Sequence, residues 1–414
     1  MEEIILDNGL RIYLYQDKRR HSTLFQHVTL FGGLTKDFSI DGKNYHLVDG
    51  VSHILEHYVV ECNEEGNFIK ELGERQMNTN ASTHLNMTRF YFDTVEDIEF
   101  GILKMLKGLY HVSFDEKKLE KLKNPIYQEI RGRSNSKFFH SNIKMMENLF
   151  HQYSFRNISG SVEDVSSVNI DLLETCYEGF YQPNNQIIFI AGNFNKEKVL
   201  TLIKDFFNDL NLPKHDVKLL PIKEEDTVAK KEDIVYFSTP EEYVEISFKI
   251  NISNYSPVER IDIDYFIGNF LQNHFGITSS LYQKFVKEKV ITTTIRYSSS
   301  ILYDYYIVSI GGYTSKKDIF VKGILDKIKK MDSFDQDFFE LEKKNVIMDL
   351  ILRDENIISM MMPFVNNVVD FHYPYLDTVD ELEKLTYQDY VSSIKKLNWS
   401  NYTIITIKDK KEDF

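Results

Sequence analysis

The chain has little cysteine, little proline and no long apolar run, and each shortage removes a class of protein. Two cysteines among 414 residues, Cys62 and Cys176, cannot build a disulfide framework. They form no C-x-x-C pair, so paired-thiolate zinc chemistry is excluded and any metal must rest on His, Asp and Glu. No segment approaches the ~20 uninterrupted apolar residues that a membrane span needs. Basic residues are outnumbered, 49 Lys and Arg against 63 Asp and Glu, for a net charge of −14. That balance repels a phosphate backbone, argues against nucleic acid, and favours basic peptides as ligands. The opening stretch MEEIILDNGLRIYL lacks the basic region, apolar stretch and cleavage site of a signal peptide, which leads us to expect a cytoplasmic protein. A Gly-rich phosphate loop and a G-x-S-x-G elbow are missing as well, which counts against nucleotide and serine-hydrolase chemistry.

What is present points to two domains. A chain of 414 residues is too long for one ordinary core. Short strand-like runs (EIIL, LRIYLYQ, TLFQHVTLF) come first, then a helical pattern around residue 54, then a hairpin in NTNASTHLNMTRFYFDT. Helical stretches follow near 94–110, 114–135 and 139–152, and NNQIIFIAGNF reads as a buried strand. After a proline-bearing run of mixed charge, the order recurs. EEYVEISFKI is a strand, ITTTIRYSSSILYDYYIVSIGGY a hairpin and NYTIITIK a closing strand. Helices fall near 315–331, 334–353 and 378–397. We read one α+β module used twice, with domains at 1–215 and 231–414 and a linker at 216–230.

One stretch carries chemistry. In SHILEHYVVE, His53 and His57 are four residues apart and Glu56 adjoins the second. On a helix both imidazoles share a face. Two imidazoles and a third ligand make an open zinc site with a place for water, and a neighbouring glutamate can take that water's proton. The pattern H-x-x-E-H inverts the H-E-x-x-H of other zinc peptidases. About one chain in twenty of this composition would carry it by chance, and the bland alternative is a helix with two solvated histidines. A third ligand decides the matter. Glu129, in KNPIYQEIRGR, lies on a helical stretch starting near Phe114, but among so many acidic residues its spacing alone does not single it out.

Its surroundings do. Gly50-Val51-Ser52-His53-Ile54-Leu55-Glu56-His57, then Leu72-Gly73 with Asn80-Ala81-Ser82-Thr83 and Thr88-Arg89-Phe90-Tyr91-Phe92, then Phe114 through Lys123 with Gln128-Glu129-Ile130, follow in the order of one known family. The chain resembles the insulinase/pitrilysin zinc peptidases in their short two-domain form, like mitochondrial processing peptidase subunits and bacterial processing proteases. The resemblance implies two repeated α/β sandwich domains, Zn2+ held by His53, His57 and Glu129, and Glu56 as general base. It also implies a peptide substrate that adds as a strand to a sheet edge near Asn80 and Ala81, for which a turn residue before a strand is the competing reading of Asn80.

Two departures qualify the resemblance. Leu122 stands where the family usually has a supporting glutamate, with Glu120 a nearby substitute off the expected face. Residues 286–293, VKEKVITT, lack the arginine and tyrosine that active members present in the second half. The expected protein is therefore a zinc metalloendopeptidase of short unfolded peptides, acting as a homodimer or opposite a second family subunit that supplies Arg and Tyr. The alternative is a non-catalytic subunit that holds peptide without cutting it.

Overall fold

The computed structural model describes residues 1–64, 66–153, 157–210, 212–331 and 334–410. The strands of the first half are β1 (Glu2–Ile5), β2 (Arg11–Gln16), β3 (Thr23–Thr29), β4 (Asp37–Ile40), β5 (Lys43–His46), β6 (Asn78–Thr83), β7 (Thr88–Thr94) and β8 (Gln186–Gly192). Then come β9 (Val217–Leu219), β10 (Glu232–Tyr236), β11 (Tyr243–Asn251), β12 (Arg296–Leu302), β13 (Tyr305–Tyr313) and β14 (Tyr402–Lys408).

The fold is α+β and the module is repeated. One sheet has the order β1-β2-β8-β3-β7-β6 and the other β10-β14-β11-β13-β12. Setting β1 aside, the two match strand for strand. β2 and β10 run parallel to β8 and β14. Every later neighbour is antiparallel. NNQIIFIAG and NYTIITIK thus hold equivalent central places, and the hairpins β6–β7 and β12–β13 equivalent edges.

The chain divides into two compact units, and each includes a piece from beyond the expected boundary. One comprises Met1–Gly132, Asn157–Pro221 and Asp354–Tyr375; the other comprises Arg133–Arg156, Ile222–Arg353 and Leu376–Phe414. The reason is sheet burial. A central sheet with two apolar faces needs cover on both. In the first unit, one face packs on Val51–Glu61, Ile98–Tyr110 and their neighbours. The helix Ile357–Phe371 lies on the other, with Phe364 edge-on to Tyr13 and Phe189. In the second unit the helix Lys137–Leu149 plays that part, with Phe138 against Tyr243 and Met145 against Ser309.

The expected linker at 216–230 is not a free tether. Val217–Leu219 pairs with β4 in a small three-stranded sheet. Glu224, within the run of mixed charge, has a side chain 1% exposed and receives the Lys249 ammonium at 2.7 Å. Charge composition alone hid both a strand register and a buried ion pair. Among the described residues, no helix is long and apolar enough to cross a membrane. Cys62 and Cys176 are buried free thiols.

Candidate metal centre

The helix Val51–Glu61 carries the opening motif, and its sequence explains its seat. Val51, Ile54, Leu55, Tyr58 and Val59 recur at helical spacing and are fully or almost fully buried. Gly50 caps its start at φ 92°, and a Cβ there would stand 2.7 Å from the Ser159 carbonyl oxygen, so both conformation and space require glycine. Just before it, Asp49 forms a buried ion pair with Lys36 and accepts the Asn157 N–H at 3.3 Å. The entry to the helix is fixed from three parts of the chain.

Glu129 arrives on the helix Glu116–Ser134. Leu119, Leu122, Ile126 and Ile130 face the core, and Glu129 falls one turn beyond Ile126 on the same side. Tyr58, next to His57, ties this helix's start to the motif helix. Its hydroxyl donates to the Ser113 carbonyl at 3.0 Å and accepts the Asp115 N–H at 2.8 Å, while its ring stacks on Phe114.

These supports bring His53, His57 and Glu129 together. One donor atom from each lies within 4.8 Å of the others. Glu129 Oε2 is 3.7 Å from His53 Nε2 and 4.0 Å from His57 Nε2. The two rings stand at 84°, centres 4.8 Å apart. Bonds of about 2.0–2.1 Å to a tetrahedral zinc would place ligand atoms about 3.3 Å apart, somewhat closer than these donor atoms lie. Two neutral imidazoles and one carboxylate suit zinc, and no thiolate takes part. The donor set fits the metal.

Glu56 is 8% exposed and adjoins this cluster. Burial pushes its carboxyl up from the ordinary range, and the Glu129 charge adds to that. The Thr83 hydroxyl, donating to Glu56 Oε2 at 2.6 Å, and the nearby His57 pull the other way. Thr83 belongs to β6, the edge strand, so the carboxylate beside the cluster is held by the strand expected to receive peptide. Thr83 lay within the quoted N-A-S-T run without a role; its partner is found only by pairing strand to helix.

Asn80 and Ala81 lie on β6, opposite Tyr91 and Phe90 of β7, and Asn80 is a strand residue rather than a turn. Its side-chain oxygen accepts the Ala81 N–H at 2.9 Å. Leu122 is buried in the core two turns before Glu129. Glu120 does not replace it, because its carboxylate is engaged at 2.7 Å by Lys123 and is mostly exposed.

The fold and this arrangement define a two-module α+β protein with a His-His-Glu cluster beside a sheet edge. A family model described as the Peptidase M16 inactive domain matches residues 167–346, a segment that excludes the cluster. The uncharacterized zinc protease YmfH of Bacillus subtilis is 24% identical over 398 residues, covering 94% of this chain and 92% of that protein. The crystal structure of an M16-like peptidase from Alicyclobacillus acidocaldarius superposes with a TM-score of 0.88 at 20% identity, over 99% of this chain and 98% of the other. A protease from Helicobacter pylori gives a TM-score of 0.82 at 18% identity, over 98% and 99%. Over its whole length the chain is similar in sequence to that zinc protease and in fold to these M16-like peptidases.

Proposed function

We propose that this protein is a zinc metalloendopeptidase that cleaves short unfolded peptides, with His53, His57 and Glu129 as ligands and Glu56 as base. The convergence of the three donor atoms within 4.8 Å, with Glu56 hydrogen-bonded to the edge strand, carries this reading. His53, His57 and Glu129 would hold zinc, which when bound would supply Lewis acidity toward a water and a peptide carbonyl. Glu56 accepts a proton from the attacking water as the new carbon–oxygen bond forms. It returns that proton to the amide nitrogen as the carbon–nitrogen bond breaks. Thr83 holds one carboxylate oxygen and leaves the other for this exchange. Backbone groups of β6 around Asn80 and Ala81 pair the peptide as an added strand, which tolerates varied side chains. The net charge favours basic peptides or leader segments.

The lack of arginine and tyrosine at 286–293 supports a partner subunit that supplies them, or a homodimer that works without them. The same lack, with Leu122 in place of a glutamate, favours the second reading, a peptide-holding subunit of a processing complex. Zinc content of the purified chain, paired with cleavage of basic peptides, separates them. The expected result is stoichiometric zinc, with cleavage that Glu56→Gln abolishes while zinc and peptide binding persist. Zinc without cleavage, alone or with candidate partners, would favour the holding subunit; absence of zinc would overturn the metal assignment.

A further inference from the structure

Among the described residues, Arg89 is a buried charge with no counter-charge. It lies on β7 directly opposite Ser82 of the edge strand β6 and is 7% exposed. Its Nη2 donates to Ser82 Oγ at 3.3 Å, and its Nη1 contacts the sulfur of Met362. The guanidinium carbon is 4.8 Å from the centre of the Tyr91 ring, and Nε has no hydrogen-bond partner. None of these neighbours is an anion. Arginine does not shed its proton in proteins, so the charge cannot be removed by neutralisation. Buried charges are ordinarily paired, and leaving one unpaired is among the costlier things a fold can do.

Its position suggests what pairs with it. Along a strand, successive side chains point to opposite faces. Thr83 of β6 reaches Glu56, so its neighbour Ser82 points to the other face, where Arg89 is. A peptide added beyond β6 alternates in the same way. A residue whose carbonyl is near Glu56 therefore has neighbours whose side chains fall beside Ser82 and Arg89. A guanidinium edge matches a carboxylate in shape as well as charge.

We propose that Arg89 is a specificity residue that binds an aspartate or glutamate side chain of the peptide, within about two residues of the bond to be cut. The proposal rests on the reading of β6 as the peptide-binding edge. Burial also lowers the Arg89 pKa, as expected of a cation that awaits its partner. It complements the overall negative charge: the whole surface draws a basic peptide, and Arg89 selects one acidic position within it.

The test uses the full-length Glu56→Gln chain and fluorescein-labelled basic peptides in which one Glu is walked along an otherwise fixed sequence, each with its Gln counterpart. Fluorescence anisotropy is expected to show Glu binding about tenfold more tightly than Gln at one position or at two positions separated by one residue. Arg89→Met is expected to erase this preference without lowering the melting temperature, since it removes an unpaired buried charge. Ser82→Asp supplies Arg89 with a carboxylate from within, so it is expected to raise the melting temperature and also erase the preference. If peptides bind but Glu gives no advantage, or its advantage survives both substitutions, the assignment of Arg89 is overturned while the edge-strand reading stands. If no peptide binds, the edge-strand reading fails and takes this proposal with it.

Discussion

Thr83 joins the two working parts of the site, because its backbone lies in the edge strand and its hydroxyl holds Glu56. Its removal should therefore affect proton transfer more than metal retention. Thr83→Val keeps the shape and deletes the donor; it is expected to lower kcat about 10–100-fold, the range for losing an orienting hydrogen bond beside a metal site. Zinc content, measured by atomic absorption on the same preparation, should not change. A parallel fall in zinc would make Thr83 a structural support instead. At this scale the grouping of side chains was legible in the sequence wherever it is local. His53, Glu56 and His57 share one helical turn, and helix geometry alone brings the imidazoles together. The nearness of Glu129 to the two histidines was expected from family resemblance alone, since no spacing rule connects it to His57. Thr83 and Arg89 depend on which strand lies beside which helix, and a linear pattern does not record that.

Elements with a clear period were found where expected, including the motif helix, both edge hairpins and the two central strands. Ile357–Phe371 was not assigned from sequence. Its run IISMMMPFVNNVVDF does bury a stripe at helical spacing (Ile357, Met360, Met361, Phe364, Val365, Val368), but Pro363 within it argues against a helix on sequence grounds. The segment 222–227 lies within the expected linker 216–230, where mixed charge gives no sign of buried contacts. Glu224 instead accepts the backbone N–H groups of His151, Gln152 and Tyr153, and Lys249 bridges it to the carbonyls of Glu225 and Thr227. Lys249 also lies 4.7 Å from the Phe150 ring centre and 4.6 Å from that of Tyr305. Breaking a buried pair from one side leaves an uncompensated charge, so Lys249→Met is expected to cost about 3–5 kcal/mol. The double variant Lys249→Met with Glu224→Gln should be less destabilised than the single one. Urea unfolding followed by the fluorescence of Trp399, the single tryptophan in this unit, measures both. A double variant that is worse than the single would mean that Glu224 acts mainly through its backbone contacts.

Over the whole molecule, the same sheet topology serves twice; among the described residues the His-His-Glu cluster falls in the first unit, whose sheet is also expected to limit stability in acid. His27 is on β3, in its centre, and is fully buried. Its Nε2 lies 3.3 Å from the Tyr110 hydroxyl, which in turn bonds Gln186, and among the described residues no carboxylate is paired with the ring. Burial pushes its pKa from 6.5 down to about 3. The unfolded chain therefore binds a proton at mildly acid pH that the folded chain refuses. Stability is retained above the unfolded value of 6.5 and is lost as pH falls below it, until the folded value is approached. The slope approaches about 1.4 kcal/mol per pH unit, so going from pH 7.5 to 5.5 should cost about 1.4 kcal/mol through this residue. His27→Phe leaves Tyr110 and Gln186 bonded to each other and removes the titrating group. Urea unfolding by circular dichroism at the two pH values should show the wild-type chain losing about that much more than the variant. Equal losses would place the acid sensitivity elsewhere and show that the buried ring is not what the protein pays for at low pH.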